Sequence, residues 1–441
     1  MRPTRFPALV LAAVLATGLA PAVQAQSLRE LYELARAYDA TYLGARAQAE
    51  SAQYRAAQAD ALRLPSAALT AAATTSRIKL PTLPEGDANT VQAEVSGRYP
   101  LFNRSNQVQI DQALKSLEIA QSALEAAEQD LIVRLAQAYF DVLGAQDQLA
   151  TTRTSKAAIT EQLASAKRNF EVGTATITDT REAQARFDLA QAQEIAAEND
   201  LRAKRIVLDQ LVGRTGVEPK PLIAPVVLPA LLPADPEVWV GAADAQHPSI
   251  RSALAALEVA RLETDKARAG HSPTLDAVAN ISGSQSGGKY PINIGGGIAN
   301  NASIGLQLNL PLYTGGAVDN RIKETVALEQ KARDDLDVAR RGVAQGTRVA
   351  YFGVQSGTAQ VKALEAAESS SKLALEATQL GYKVGVRVNL DVLNAQTQLF
   401  QTQRDLARAR YDVLVGGLRL RQAAGQLSSG DIDAVQSLLA R

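Results

Sequence analysis

The chain has 441 residues, formally two or three ordinary domains, with 46 basic and 46 acidic side chains; that balance argues against nucleic acid as a partner. It has no cysteine and only two histidines, His247 and His271. Disulfides, thiolate metal sites and a lipidated N-terminal cysteine are thereby excluded, and little is left for general-base chemistry. Aromatic residues make up 4%, and Ala, Gln, Leu, Glu, Asp and Arg dominate, which suits long, closely packed helices.

Arg2 and Arg5 precede an apolar run from Ala8 to Ala20, and Val23-Gln24-Ala25 places small residues at a cleavage position. Residues 1–25 therefore read as a Sec signal peptide, with the mature chain starting near Gln26. A membrane anchor is the poorer reading, because the run is short and interrupted by glycine. No other apolar run approaches the ~20 residues that a membrane helix needs, so any crossing has to be made by strands.

From Ser27 to about Leu62 the pattern is helical, with Leu28, Leu31, Ala35, Tyr38 and Tyr42 at steps of three and four before Pro65 stops it. Residues 66–75 are weakly strand-like, and 76–90 read as a polar loop carrying Pro81, Pro84, Gly86 and Asn89. Val91, Ala93, Val95, Gly97 and Tyr99 then alternate with polar residues, a strand facing two environments. Between Arg104 and Val172 there is no proline, and Leu117, Leu124, Leu131 and Ala138 recur every seven residues, as do Leu135, Val142 and Leu149. Two overlapping coiled-coil registers predict a helix of roughly 100 Å that meets more than one neighbour. A shorter helix from Asp179 ends at Gly213, and a proline-rich segment follows over 214–236.

The second half repeats the first. Phe170, Gly173 and Asp179 reappear as Tyr382, Gly385 and Asp391, each displaced by the same amount (382 − 170 = 385 − 173 = 391 − 179 = 212). A helix from about Glu237 to Ala269 precedes strand-like alternation at 275–281, a Gly/Asn-rich loop at 284–302 and a strand through Ile304, Leu306, Leu308 and Leu310. A second long helix follows from about Val318 to Val384, and the return helix shows Leu399, Leu406, Val413 and Leu420 at steps of seven.

The expected organisation is a first repeat over 26–213 (helix, strand pair, long helix, return helix), a linker over 214–236, a second repeat over 237–425 and a tail over 426–441. The fold class is an α+β membrane protein, long α-helical coiled coils joined to membrane-spanning strands. Four strands of about ten residues suit an outer membrane barrel but cannot close one, and an open edge in lipid is not viable. The chain must therefore oligomerise, two copies giving eight strands and three giving twelve.

These residues resemble the TolC-type outer membrane channel family, through His271-Ser-Pro-Thr-Leu-Asp276, Leu310-Pro-Leu-Tyr-Thr-Gly-Gly316, Phe170-Glu-Val-Gly173 with Ile177-Thr-Asp179, and Gly381-Tyr-Lys-Val-Gly385 with Asp391-Val-Leu393. The likeness runs through essentially the whole mature chain. It implies a homotrimer in the outer membrane, its coiled coils forming a helical barrel, the tunnel, in the periplasm, joined to a twelve-stranded transmembrane β-barrel in lipid. It further implies a passive exit duct for tripartite efflux or type I secretion, opened by a periplasmic adaptor and an inner-membrane transporter of the RND, MFS or ABC type.

By the same resemblance, Val172, Gly173, Val384 and Gly385 are adaptor-docking tips. Thr178 and Asp179 face Tyr382 and Arg387 of a neighbouring coil as a gate, although Asp179 could also serve as a helix cap. Asp391 forms a selectivity ring that the family doubles with a second acid one turn on. Asn394 stands there instead, and Glu182, its mate in the first repeat (182 + 212 = 394), is the candidate replacement. No phosphate loop or catalytic constellation is present, so no cofactor, metal or enzymatic activity is expected. The competing reading is a periplasmic coiled-coil structural or adaptor protein without a pore.

Overall fold

The computed structural model describes residues 26–79, 81, 85–223, 225–289 and 297–440; the signal-peptide reading over 1–25 lies outside the described residues. Helix α1 (Leu28–Tyr38) starts on a capping box, in which Ser27 Oγ accepts from Glu30 N at 3.2 Å and Glu30 Oε2 accepts from Ser27 N at 3.0 Å. The continuous helix expected to Leu62 is in fact two. At Asp39 the backbone turns extended, and the carboxylate caps α2 (Ala40–Asp60) by accepting from Tyr42 N at 2.8 Å. Arg134 holds the same carboxylate through two bonds of 3.0 and 3.1 Å and keeps it ionised below its ordinary range. The second half breaks likewise, between α5 (Pro236–Gln246) and α6 (Pro248–Arg268), where Pro248 can start a helix but not continue one.

Strands β1 (Ser66–Ile78), β2 (Gly86–Asn103), β3 (Thr274–Lys289) and β4 (Gly297–Asn309) form one antiparallel sheet in sequence order. Their register aligns Leu69, Val95, Ile281 and Ala302 in one row across all four strands. The adjacent row is Thr70, Glu94, Ser282 and Asn301, so one face of the sheet is apolar and the other polar. The strands run well past the alternating segments, and the loops expected at 76–90 and 284–302 are largely strand. Ladder bonds join backbone groups and proceed through Thr, Ser, Asn and Gly without an apolar face.

The long helices α3 (Arg104–Glu171) and α7 (Ala317–Lys383) each carry several partners in succession along their length. Near the sheet, α2 and α6 lie against α3, tied by Asn106 Nδ2 to Leu62 O at 3.0 Å and Gln112 Nε2 to Glu263 Oε2 at 2.8 Å. Farther down, α4 (Ile177–Val212) lies against α3, and α8 (Asn389–Ala423) against both α7 and α3. Among the described residues no helix is long and apolar enough to cross a membrane.

The largest core sits at the waist. It joins α1, the Leu131–Leu149 stretch of α3, Leu208 and Val212 of α4, Tyr411 to Leu418 of α8, and Ile432 and Val435 of α9 (Ser429–Gln436). The two non-helical segments meet there, with Ile223 N donating to Leu438 O at 2.9 Å and Ala440 N to Pro221 O at 2.8 Å.

Candidate functional site: the two helical tips

Each long helix ends on a left-handed glycine, Gly173 at φ 79° and Gly385 at φ 80°, a conformation that side chains with a Cβ rarely take. Around each, two amides satisfy the last carbonyls. Gly173 N donates to Phe170 O at 3.0 Å and Thr174 N to Asn169 O at 2.8 Å. In the second repeat Gly385 N donates to Tyr382 O at 3.1 Å and Val386 N to Gly381 O at 2.9 Å. Val172 and Val384 occupy the C-caps with φ −91° and −93° and leave their side chains exposed. The tips are therefore two copies of one rigid hairpin presenting apolar side chains.

The return helices start differently. Thr176 and Asp179 form a reciprocal box, Asp179 N donating to Thr176 Oγ1 at 3.2 Å and Asp179 Oδ2 accepting from Thr176 N at 2.9 Å. Val388 stands in the threonine's place and has no side-chain oxygen, so Asp391 N donates to the Val388 backbone O at 3.1 Å while Asp391 Oδ2 accepts from Val388 N at 3.4 Å. That frees Asp391 to meet Arg387, whose Nη1 lies 3.7 Å from Asp391 Oδ2. The stem of Arg387 lies across Gly381, where a Cβ would come within 2.8 Å of it.

Within one protomer, Thr178 and Asp179 make no hydrogen bond or ion pair with Tyr382 or Arg387. Tyr382 instead accepts through its hydroxyl from Asn169 Nδ2 at 3.2 Å, and Thr178 is exposed. Asn394 Oδ1 accepts from Arg186 Nη2 at 2.9 Å, while Glu182 makes no hydrogen bond or ion pair among the described residues. Asn169 and Arg186 were not singled out from the sequence. A repeat relation pairs residues equivalent in two units, whereas contact depends on how α4 and α8 are offset along their axes.

Further links tie the α3–α4 coil to α8. Leu393 is the α8 residue in a small cluster with Ile159, Leu163 and Ala166 of α3 and Ala183 and Ala190 of α4. Gln162 donates to the Asn389 side chain, with Asn389 Nδ2 left buried and unpaired. Higher up, Tyr411 donates to Asp147 Oδ2 at 2.6 Å and stacks on Phe140 at 5.6 Å. Burial pushes the Asp147 carboxyl up, partly offset by that hydroxyl. Contact near the tip thus combines a small apolar cluster with polar bonds, while the waist carries the larger apolar core.

A duplicated helical hairpin, mounted on an antiparallel sheet with one apolar face, defines a class of outer membrane conduit. The chain belongs to the outer membrane efflux protein family, which it matches over residues 31–214 and 239–426. It is 34% identical over 424 residues to outer membrane protein TolC of Vibrio cholerae, covering 96% of each chain. It is 33% identical over 351 residues to the alkaline protease secretion protein AprF of Pseudomonas aeruginosa, covering 79% of this chain and 72% of that one. Among solved structures, the Vibrio cholerae outer membrane protein VceC shares the fold with a TM-score of 0.77 at 21% identity, covering 90% of this chain and 96% of that one. The chain is an outer membrane channel protein whose helices extend into the periplasm.

Proposed function

We propose that three copies assemble into a closed barrel and tunnel that serves as the passive exit duct of a tripartite efflux or type I secretion system. The observation that carries this is the sheet itself. Strands β1 and β4 are its edges, and Ile298, Ile304, Leu306 and Leu308 of β4 stand exposed on it. Unpaired backbone in lipid costs several kcal/mol per group, so each β4 needs the β1 of another copy. Three copies give twelve strands, consistent with the family.

The tips close the periplasmic end, and the exposed Val172-Gly173 and Val384-Gly385 turns receive the adaptor's helical hairpins. In the trimer, Tyr382 and Arg387 of one copy meet Thr178 and Asp179 of the next. A charge-assisted bond there contributes roughly 1.5–3 kcal/mol where water is limited and about 0–1 kcal/mol where it is not. The adaptor and inner-membrane transporter supply the energy to break it. AprF is named for protease secretion, and BepC of Brucella suis is named as an outer membrane efflux protein; the inner-membrane partner selects the cargo.

Planar bilayers test the reading. The detergent-extracted protein should give discrete conductance steps, enlarged by joint Tyr382→Phe and Arg387→Ser substitution. Steps of unchanged size would remove the gate, and a soluble periplasmic monomer giving no steps would favour the pore-less coiled-coil alternative.

A further inference from the structure

The family doubles its acid ring, and this chain carries Asn394 in place of the second acid. A lost carboxylate alone would leave a weaker cation filter. The structure holds more than a loss, because the Asn394 amide oxygen accepts from the Arg186 guanidinium at 2.9 Å. An amide fixes a cation in place without neutralising it. Among the described residues no carboxylate comes within 4.0 Å of Arg186, whereas Arg153 meets Glu194 and Glu198, Arg404 meets Asp405, and Arg408 meets Asp412.

We infer that Arg186 determines the ion preference of the entrance, converting a cation filter into a mixed-charge collar that admits anionic and zwitterionic solutes. The inference rests on the duct reading above. Asn394 is three residues beyond Asp391 on α8, a rise of about 4.5 Å. The Arg186 charge held on Asn394 therefore stands within about one screening length of the Asp391 carboxylate at physiological salt. Asp391 is already shared with Arg387 at 3.7 Å. Glu182 lies four residues before Arg186 on α4, one turn nearer the tip, and makes no ion pair with it. The charged groups of this crossing, Arg186, Arg387, Asp391 and Glu182 with Arg181 beside it, thus carry no net negative charge. A trimer repeats that balance three times around the axis.

A Gln at 186 keeps a donor for Asn394 and removes the charge, and a Lys keeps the charge and loses the fork. The experiment is the reversal potential of the trimer in planar bilayers across a potassium chloride gradient, with heat-resistant trimers in detergent confirming assembly of each variant. The unaltered channel should discriminate little between potassium and chloride. R186Q should raise the potassium-to-chloride permeability ratio several-fold, and R186K should leave it near the unaltered value. R186Q combined with N394D should be cation-selective and blocked by hexaamminecobalt(III) from the tip side, a block the unaltered channel lacks. An unchanged ratio in R186Q, with a shifted ratio in D391N, would overturn the role of Arg186 and leave the entrance where it is. Unchanged ratios in both would place the constriction elsewhere, overturning the entrance assignment and this inference with it.

Discussion

Tyr139 uses one hydroxyl twice. It donates to Lys220 O at 3.0 Å and accepts from Lys220 N at 2.8 Å, pinning the segment that leaves α4 onto the middle of α3. Its repeat mate Tyr351 donates to Ala234 O, so both linker ends hang from equivalent tyrosines. Burial pushes the Tyr139 hydroxyl well above its ordinary range, and the neutral donor is the form in use. Tyr139→Phe would orphan both backbone groups of Lys220 at a cost of about 1–3 kcal/mol, and a lowered denaturant midpoint with an unchanged slope would show it. Some of this scale was legible beforehand. The family resemblance brought out Asn394 as a departure, and the 212-residue offset brought out Glu182 as its mate, because equivalent residues can be compared without coordinates. It could not bring out Arg186 or the second bond of Tyr139, since both depend on how neighbouring helices are shifted along their axes.

At the scale of elements, the breaks at Asp39 and His247 set where each short helix bends at the waist. His247 caps α6 by accepting from Ser249 N at 3.1 Å through Nδ1, which requires the neutral ring. Burial lowers its pKa from 6.5, with Glu125 pulling the other way. A depressed histidine pKa means that its share of stability is present above the ordinary value and is lost as pH falls through the depressed one. Melting midpoints should therefore drop as pH falls from neutrality through that depressed value, and His247→Asn, which caps without titrating, should flatten part of that drop. An identical pH dependence in the variant would show that other groups carry the effect.

The helices were readable because seven-residue spacing reports directly on packing, although the helix expected over about 237–269 ran through Pro248, where α6 starts. The Asp39 break was not readable, because the Leu28 to Tyr42 periodicity runs straight through it and the carboxylate's partner, Arg134, lies far along the chain. The outer thirds of the strands were missed for a different reason. Their Ser, Thr, Asn and Gly residues carry no alternation, although their backbones pair as regularly as those of Leu69 or Ile304.

Across the whole molecule the two halves share a plan and differ in surroundings. Tyr139–Phe140 and Tyr351–Phe352 each pack edge to face at 5.5 Å, yet Phe140 is 1% exposed and Phe352 52%. Phe352 shares α7 with exposed Val338 and Val349, an apolar edge that one protomer leaves uncovered. In the proposed trimer this edge is where the next copy lies. Phe352→Asp should accordingly lower the temperature at which trimers dissociate in detergent while leaving the helical content of the chain intact, as followed by gel mobility and circular dichroism. Dissociation at the unaltered temperature would place the subunit contact on another face.

The near-equality of the paired helices has a consequence for how such a protein can change size. Helices α3 and α7 have 68 and 67 residues, and α4 and α8 have 36 and 35. Inserting one residue into α3 alone would turn everything below it by about 100° and carry Leu163 away from Leu393. A lengthening that preserves the seams needs whole heptads, added to both arms of a hairpin and then to both hairpins, or the tips no longer end level. The reach of the tunnel toward the inner membrane is therefore a quantised property of the gene. It is closed to gradual adjustment by single insertions and open only to coordinated steps of roughly 10 Å.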